Sequence, residues 1–240
     1  PEVETAEDGS RYLATPKAPE GCEIRFIGAD YEQIIGADGT VYDTIQEKEV
    51  TVGFLVTDAA QGEERERSFT IAVPASRKEK NAANEKPSVT PALAEWAGGS
   101  GIFALGQESR ILLAVPETDG QAAWRVAELL ADELGECCDL HPAILPGTAE
   151  DAKAGDVVLG LTDEASGLGE EGYTAAISNI CVIKAQTITG LRWGSVTLRQ
   201  LHDTYGDSIP QGEIRDYPLY AVRGFGIDVA RKAVSMDTLT

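Results

Sequence analysis

The sequence predicts a multidomain chain in which an all-β unit, a mixed α+β layer and the opening of a repeating β/α unit follow one another. Three observations predict it. Between residues 22 and 73 apolar residues alternate with a period of two. From Gln121 onward the spacing changes to three and four residues in two separate stretches. Between Ser76 and Pro91 there is no apolar period at all. At about 100 to 200 residues per domain, the 240 residues suffice for two modest domains.

In the first unit, Val50, Val52, Phe54 and Val56 alternate with Thr51, Gly53, Leu55 and Thr57, and Phe69, Ile71 and Val73 alternate with Ser68, Thr70 and Ala72. These are half-buried strands, and the polar stretch 58–64 between them makes a hairpin. Cys22 to Ile27 and Gln33 to Ile35 read as further short strands, with Ala37-Asp38-Gly39 as a turn before Thr40 and Val41. A small antiparallel sandwich over residues 1–75 follows from that rhythm. Residues 76–92, rich in Lys, Glu, Asn and Ala and stiffened by Pro87 and Pro91, read as a linker.

The second unit, residues 93–216, mixes both periods. Gly101 to Leu105 and Ser109 to Val115 are predicted to pair as strands. Ala123, Val126, Leu130 and Leu134 define an amphipathic helix over Gln121 to Cys138. Asp156 to Leu161 is a short buried strand, Tyr173 to Ser178 and Cys181 to Ala185 form a hairpin across Asn179, and Leu191 to Leu201 returns to helical spacing. Strands with helices on one face make an α+β layer. In residues 217–240, Tyr220 to Ile227 is strand-like and Ser235 stands as the N-cap of a following helix, the start of a β/α repeat.

Forty acidic residues against twenty basic ones leave a formal charge of −20, which repels phosphate backbones and anionic headgroups and argues against a nucleic-acid partner. No apolar run approaches the roughly 20 residues of a membrane span, and no leader precedes Pro1. Cys137 and Cys138 are adjacent while Cys22 and Cys181 are distant, which is neither a metal-binding pattern nor a disulfide framework; the cysteines read as buried free thiols, and no metal or cofactor is expected. His141 and His202 have no Cys, Asp or Glu at ligand spacing and read as surface or capping residues. Trp96, Trp124 and Trp193 are scattered and read as core.

The run Asp216-Tyr217-Pro218, Arg223-Gly224, Asp228, Arg231 and Ser235-Met236-Asp237 resembles the opening of the catalytic barrel of family 20 glycoside hydrolases, which include β-N-acetylhexosaminidases and lacto-N-biosidases. Upstream, Gly160 to Asp163, Gly169 to Thr174 and Gly190 to Gln200 resemble the accessory α/β domain that precedes that barrel. Asp38 to Val41 and Val50 to Asp58 are similar to bacterial immunoglobulin-like modules on surface enzymes. The resemblance implies an immunoglobulin-like sandwich, an accessory domain, and a truncated TIM barrel of which residues 217–240 are the first β/α segment.

The chemistry that the resemblance implies is substrate-assisted, retaining hydrolysis, in which the sugar's own acetamido oxygen attacks the anomeric carbon. A Glu acts as general acid, and the Asp before it orients the acetamido group; in the family this pair follows a His-x-Gly-Gly pattern deep in the barrel. Asp132-Glu133 and Asp163-Glu164 lack that pattern and read as solvated carboxylates. A complete barrel takes about 250 residues. The catalytic pair is therefore expected beyond Thr240, and this chain alone is expected to be inactive. Arg223 is implied as a substrate contact, its guanidinium fork suited to vicinal hydroxyls; the other reading is an arginine bridging the first barrel strand to nearby loops. Gly224, Asp228 and Arg231 are read as structural support.

The expected partner is a glycan with a terminal N-acetylhexosamine or lacto-N-biose, and the expected location is secreted or on the bacterial surface, compatible with cell-wall attachment elsewhere in the full protein. Two alternatives stand beside this reading. One is a related glycosidase sharing the accessory domain, such as the O-GlcNAcase and hyaluronidase-like enzymes or the α-glucuronidases. The former open their barrel with Arg-Gly and a Glu-Gly-Phe-Tyr-Gly type sequence, unlike the stretch from Arg223 to Arg231. The second is a glycan-binding or cell-surface spacer module centred on the immunoglobulin-like unit.

Overall fold

Alternation of apolar and polar residues builds two sheets in the first unit of the computed structural model, which describes residues 1–76, 84–162, 167–220 and 222–224. β1 (Glu2–Thr5) and β2 (Arg11–Ala14) form an antiparallel pair. β3 (Cys22–Ala29), β4 (Lys48–Asp58) and β5 (Glu64–Val73) form a three-stranded antiparallel sheet. Leu13, Val50, Val52, Phe54 and Val73 point into a common core with Ile34, Ile35 and Val41. The Phe54 ring lies 5.6 Å from Phe26 and 6.0 Å from Phe69, distances that suit tilted aromatic packing.

Gln33 to Ile35 is not the strand expected: residues 32–34 form a turn, and only Ile35 bridges Val41. The cause lies in Asp38, whose carboxylate accepts from the amide of Thr40 at 2.9 Å, while Gly39 takes φ +86°. That side-chain-closed turn leaves no length for a ladder.

The second unit is one seven-stranded sheet of β6 (Glu95–Phe103), β7 (Arg110–Ala114), β8 (Ala143–Pro146), β9 (Val157–Leu161), β10 (Tyr173–Ile177), β11 (Cys181–Ala185) and β12 (Ile209–Asp216). Their spatial order is β6-β12-β10-β11-β9-β7-β8. Pairing is antiparallel from β6 to β11 and parallel from β11 to β8. α1 (Gly120–Cys138) links β7 to β8, as a parallel crossover requires, and α2 (Ile188–Tyr205) links β11 to β12. The helices pack together against the face carrying Ile111, Leu113, Val157, Leu159, Ile183 and Ile214. The α+β layer with helices on one face is therefore present. Among the described residues no helix is long and apolar enough to cross a membrane.

One pairing departs from expectation. The strands containing Gly101 to Phe103 and Arg110 to Ala114 both form, but they lie apart: β6 pairs with β12 at one edge, and β7 sits between β9 and β8. Trp96 suits the pairing of β6 with β12. Its ring occupies the space where a Cβ of Gly212 would stand, and its indole N–H donates to the Asn84 carbonyl at 3.3 Å. Residues 84–92 carry no helix or strand, yet Val89 joins the core of the second unit. Tyr220 and residues 222–224 have no regular structure, and the remainder of the predicted barrel strand and the Ser235 cap lie outside the described residues.

The two units touch through polar groups. Glu95 Oε2 accepts from the Ile45 amide at 2.8 Å, Lys48 Nζ donates to the Ala94 carbonyl at 2.9 Å, and Arg215 donates to the Gln33 carbonyl. Beside this contact a cleft of about 360 Å³ opens, lined by Glu32, Gln33, Tyr42, Gly167 and Gln186 among others.

Candidate functional site

Three of the segments singled out in the sequence converge on one carboxylate. Glu171 lies in the loop before β10, Trp193 in the first half of α2, and Arg223 beyond β12. Glu171 Oε2 accepts from the Trp193 indole N–H at 3.1 Å and is ion-paired with Arg223 Nη2. Arg223 Nη1 also donates to the Tyr220 carbonyl at 2.6 Å. The loop is fixed from below by Thr187, whose hydroxyl donates to the Glu170 carbonyl and accepts from the Gly190 amide at 3.1 Å, capping α2.

The Arg223 side chain is 44% exposed, so it is neither buried in the sheet nor free in solvent. A guanidinium held on a carboxylate beside an indole can donate hydrogen bonds to hydroxyl oxygens and lie along a sugar ring. It cannot shuttle protons, because it stays charged. A Cβ at Gly224 would meet nothing within 4 Å. Asp228, Arg231 and the pair Asp163-Glu164 lie outside the described residues.

Several readings of single residues are corrected. Only Trp96 is core, at 4% exposed; Trp124 and Trp193 are 39% and 44% exposed, since each sits on the outer face of its helix. Glu133 is not simply solvated: it forms a two-pronged ion pair with Arg192, tying α1 to α2. Of the four thiols only Cys181 is buried; Cys22 and Cys138 are partly covered and Cys137 is exposed. His202 is buried at the end of α2, whereas His141 is exposed as expected.

The motif residues before Arg223 serve the fold. Arg215 and Glu95, facing each other across β12 and β6, form an ion pair at 2.6 Å with side chains 4% and 0% exposed. Tyr217 donates its hydroxyl to the same Glu95 oxygen at 3.1 Å, and its ring centroid lies 5.0 Å from the Arg215 guanidinium carbon. Asp216 accepts from the Ala94 amide at 2.8 Å and from the Tyr173 hydroxyl at 3.1 Å. Burial holds the Asp216 carboxyl above the usual range, against the pull of those donors. Burial, with Asp216 alongside, likewise pushes the Tyr173 phenol well up.

A third group assembles at the far ends of the helices. Cys138 Sγ lies 3.1 Å from His202 Nδ1, and Cys137, Cys138 and Asp203 place their donor atoms within 4.8 Å of one another. Although Cys137 is exposed, partial desolvation of its sulfur, then the neighbouring Cys138 and Asp203, raises its thiol above the ordinary value. Sequence spacing gave no sign of this group, because 64 residues separate Cys138 from His202.

Against known proteins, the profile described as glycosyl hydrolase family 20, domain 2, matches residues 86–217, more than half of the chain. A β-N-acetylhexosaminidase of Cellulomonas fimi is 40% identical over 75 residues, which are 30% of this chain and 15% of that protein. Among solved structures, the family 20 β-N-acetylhexosaminidase of Streptomyces coelicolor A3(2) is 28% identical with a TM-score of 0.49, covering 61% of this chain and 30% of the other. That of Streptomyces plicatus, in complex with Thio-NAglucal, is 27% identical with a TM-score of 0.44, covering 55% and 26%. The chain thus spans less than a third of the length of each of these proteins. With its profile match running from the segment before β6 through β12 to Tyr217, this chain belongs to glycosyl hydrolase family 20.

Proposed function

We propose that this chain is the non-catalytic front portion of a β-N-acetylhexosaminidase-type glycoside hydrolase, acting outside the bacterial cell on glycans with a terminal N-acetylhexosamine or lacto-N-biose. In this reading residues 1–75 are an immunoglobulin-like spacer, residues 93–216 the accessory domain, and residues 217–240 the first segment of the catalytic barrel. The observation that carries it is the family domain at residues 86–217, followed at once by Arg223 held on Glu171. Two further facts support it. The sequence has no Asp-Glu pair behind a His-x-Gly-Gly pattern, and the acidic surface repels anionic polymers but not neutral sugars.

Arg223 takes the part of a sugar-hydroxyl ligand whose orientation Glu171 fixes, while the acid and the acetamido-orienting carboxylate come from the rest of the barrel. The test is an assay with p-nitrophenyl-N-acetylglucosaminide. The 240-residue chain should release no p-nitrophenol above a buffer control, and the same chain continued into a complete barrel should release it. In that complete enzyme Arg223→Lys should raise KM and lower kcat/KM about tenfold or more, since lysine cannot grip two oxygens at once. Turnover by the chain alone, or unchanged kinetics in the variant, refutes the corresponding half of the reading.

A further inference from the structure

We propose that the C-terminal ends of α1 and α2 form a binding site for a thiophilic divalent cation of the zinc class, with Cys137, Cys138 and Asp203 as ligands and His202 as the group that positions Cys138. The donor atoms of the three ligands already lie within 4.8 Å of one another, close to the spacing that an ion with Zn–S bonds of about 2.3 Å requires. Two soft sulfurs and one carboxylate on a tetrahedral ion leave one position for water. That donor set selects zinc-like ions over magnesium or calcium, which prefer all-oxygen shells.

Three features of the surroundings favour a cation. Cys137 and Cys138 are the last two residues of α1, and His202 and Asp203 lie in the final turn of α2, so two helix ends direct their partial negative charge at one place. A cleft of about 310 Å³ lined by Glu133, Glu136, Cys137 and Arg199 gives access from solvent. His202 is buried with Nδ1 3.1 Å from Cys138 Sγ. Arg199 opposes the ion, because it pairs with one Asp203 oxygen, but a pair this exposed is worth less than about 1 kcal/mol and yields to a metal–carboxylate bond.

Binding balances without redox change. Each thiol gives up its proton to solvent as two sulfur–metal bonds and one oxygen–metal bond form, and Cys138 Sγ keeps its contact with His202 Nδ1. Of the other cysteines, Cys181 is sealed in the sheet and Cys22 lies in β3, so neither takes part.

The reduced 240-residue chain should be titrated with Co²⁺ as the spectroscopic probe, followed by Zn²⁺ in competition. One equivalent of Co²⁺ should produce thiolate-to-cobalt charge-transfer absorption with the intense visible bands of a tetrahedral ion, and Zn²⁺ should abolish both. Cys137→Ser and Cys138→Ser should each remove the charge-transfer band or cut it to about half, Cys22→Ser should leave it intact, and His202→Asn should weaken binding about tenfold. No band in a fully reduced chain, or a full band in Cys137→Ser, overturns the proposal. Should a variant fail to fold, alkylation of the native chain decides: Zn²⁺ must protect Cys137 and Cys138, and equal labelling with and without the ion overturns the site.

Discussion

Asp156 accepts from its own loop and from the neighbouring strand at once: the Lys153 amide at 2.7 Å, the Arg110 amide at 3.0 Å, and the Arg110 guanidinium, with which it is ion-paired. Burial pushes this carboxyl up, but the hydrogen bonds and charge of Arg110 outweigh it, and the net position is below the ordinary value of 3.8. The folded state therefore favours the ionised form. Its contribution is complete above pH 3.8 and disappears as pH falls through the lower folded value. Asp156→Asn should cost about 1.5–3 kcal/mol in urea unfolding at pH 7, and the gap from the native chain should narrow as the pH is lowered below 3.8. An undiminished gap at low pH would mean that packing, not charge, is responsible. Asp216 has the opposite sign. Its raised value means that the stability linked to it declines as pH rises from 3.8 through the folded value, a window that lies above the one in which Asp156 acts.

α2 shows how closely an element can be built to its sheet. A Cβ on Gly194 would stand 3.0 Å from the Tyr173 ring and closer still to Ile183 Cγ2, and one on Gly190 would meet the Gly172 carbonyl and Ala185. Gly194→Ala gains helix propensity of about 1 kcal/mol but overpacks the seam by about 1–3 kcal/mol, so the net effect should be destabilising by up to roughly 2 kcal/mol, read as a lower Tm. The helices themselves were plain in the sequence, because Ala123, Val126, Leu130 and Leu134 repeat the helical spacing and all are buried. β9 was plain for another reason, an unbroken apolar run sealed on both faces. β12 was not predicted as a strand, since Pro210 and Gly212 interrupt any period there; the ladder slips between them, and the Trp96 ring fills the space over the glycine. β8, which follows Pro142 and ends on Pro146, is too short to show a period. The convergence of Trp193 and Arg223 on Glu171 was legible only as three separate motifs, and the thiol group at the helix ends was not legible at all, because tertiary contacts alone create it.

The two units are joined by hydrogen bonds between side chains and backbone groups rather than by a shared apolar core, so their relative placement depends on polar contacts. Glu95→Gln removes a counter-charge from a buried guanidinium and should destabilise the chain by up to about 3–5 kcal/mol. It should also speed amide exchange at Ile45, whose N–H is held by that carboxylate. Unchanged protection at Ile45 would show that the units are held together by other contacts. The ladder of β6 on β12 has one more consequence. Because the strands are antiparallel and Glu95 faces Arg215, the chain comes into the large sheet and departs from it at the same corner. Traction applied between the flanking segments therefore loads this ladder one rung at a time instead of shearing all its rungs together. The sheet is a soft spring when pulled from its natural attachment points, and the Glu95–Arg215 pair sits at the mouth of the tear, where a single latch does the most to resist opening.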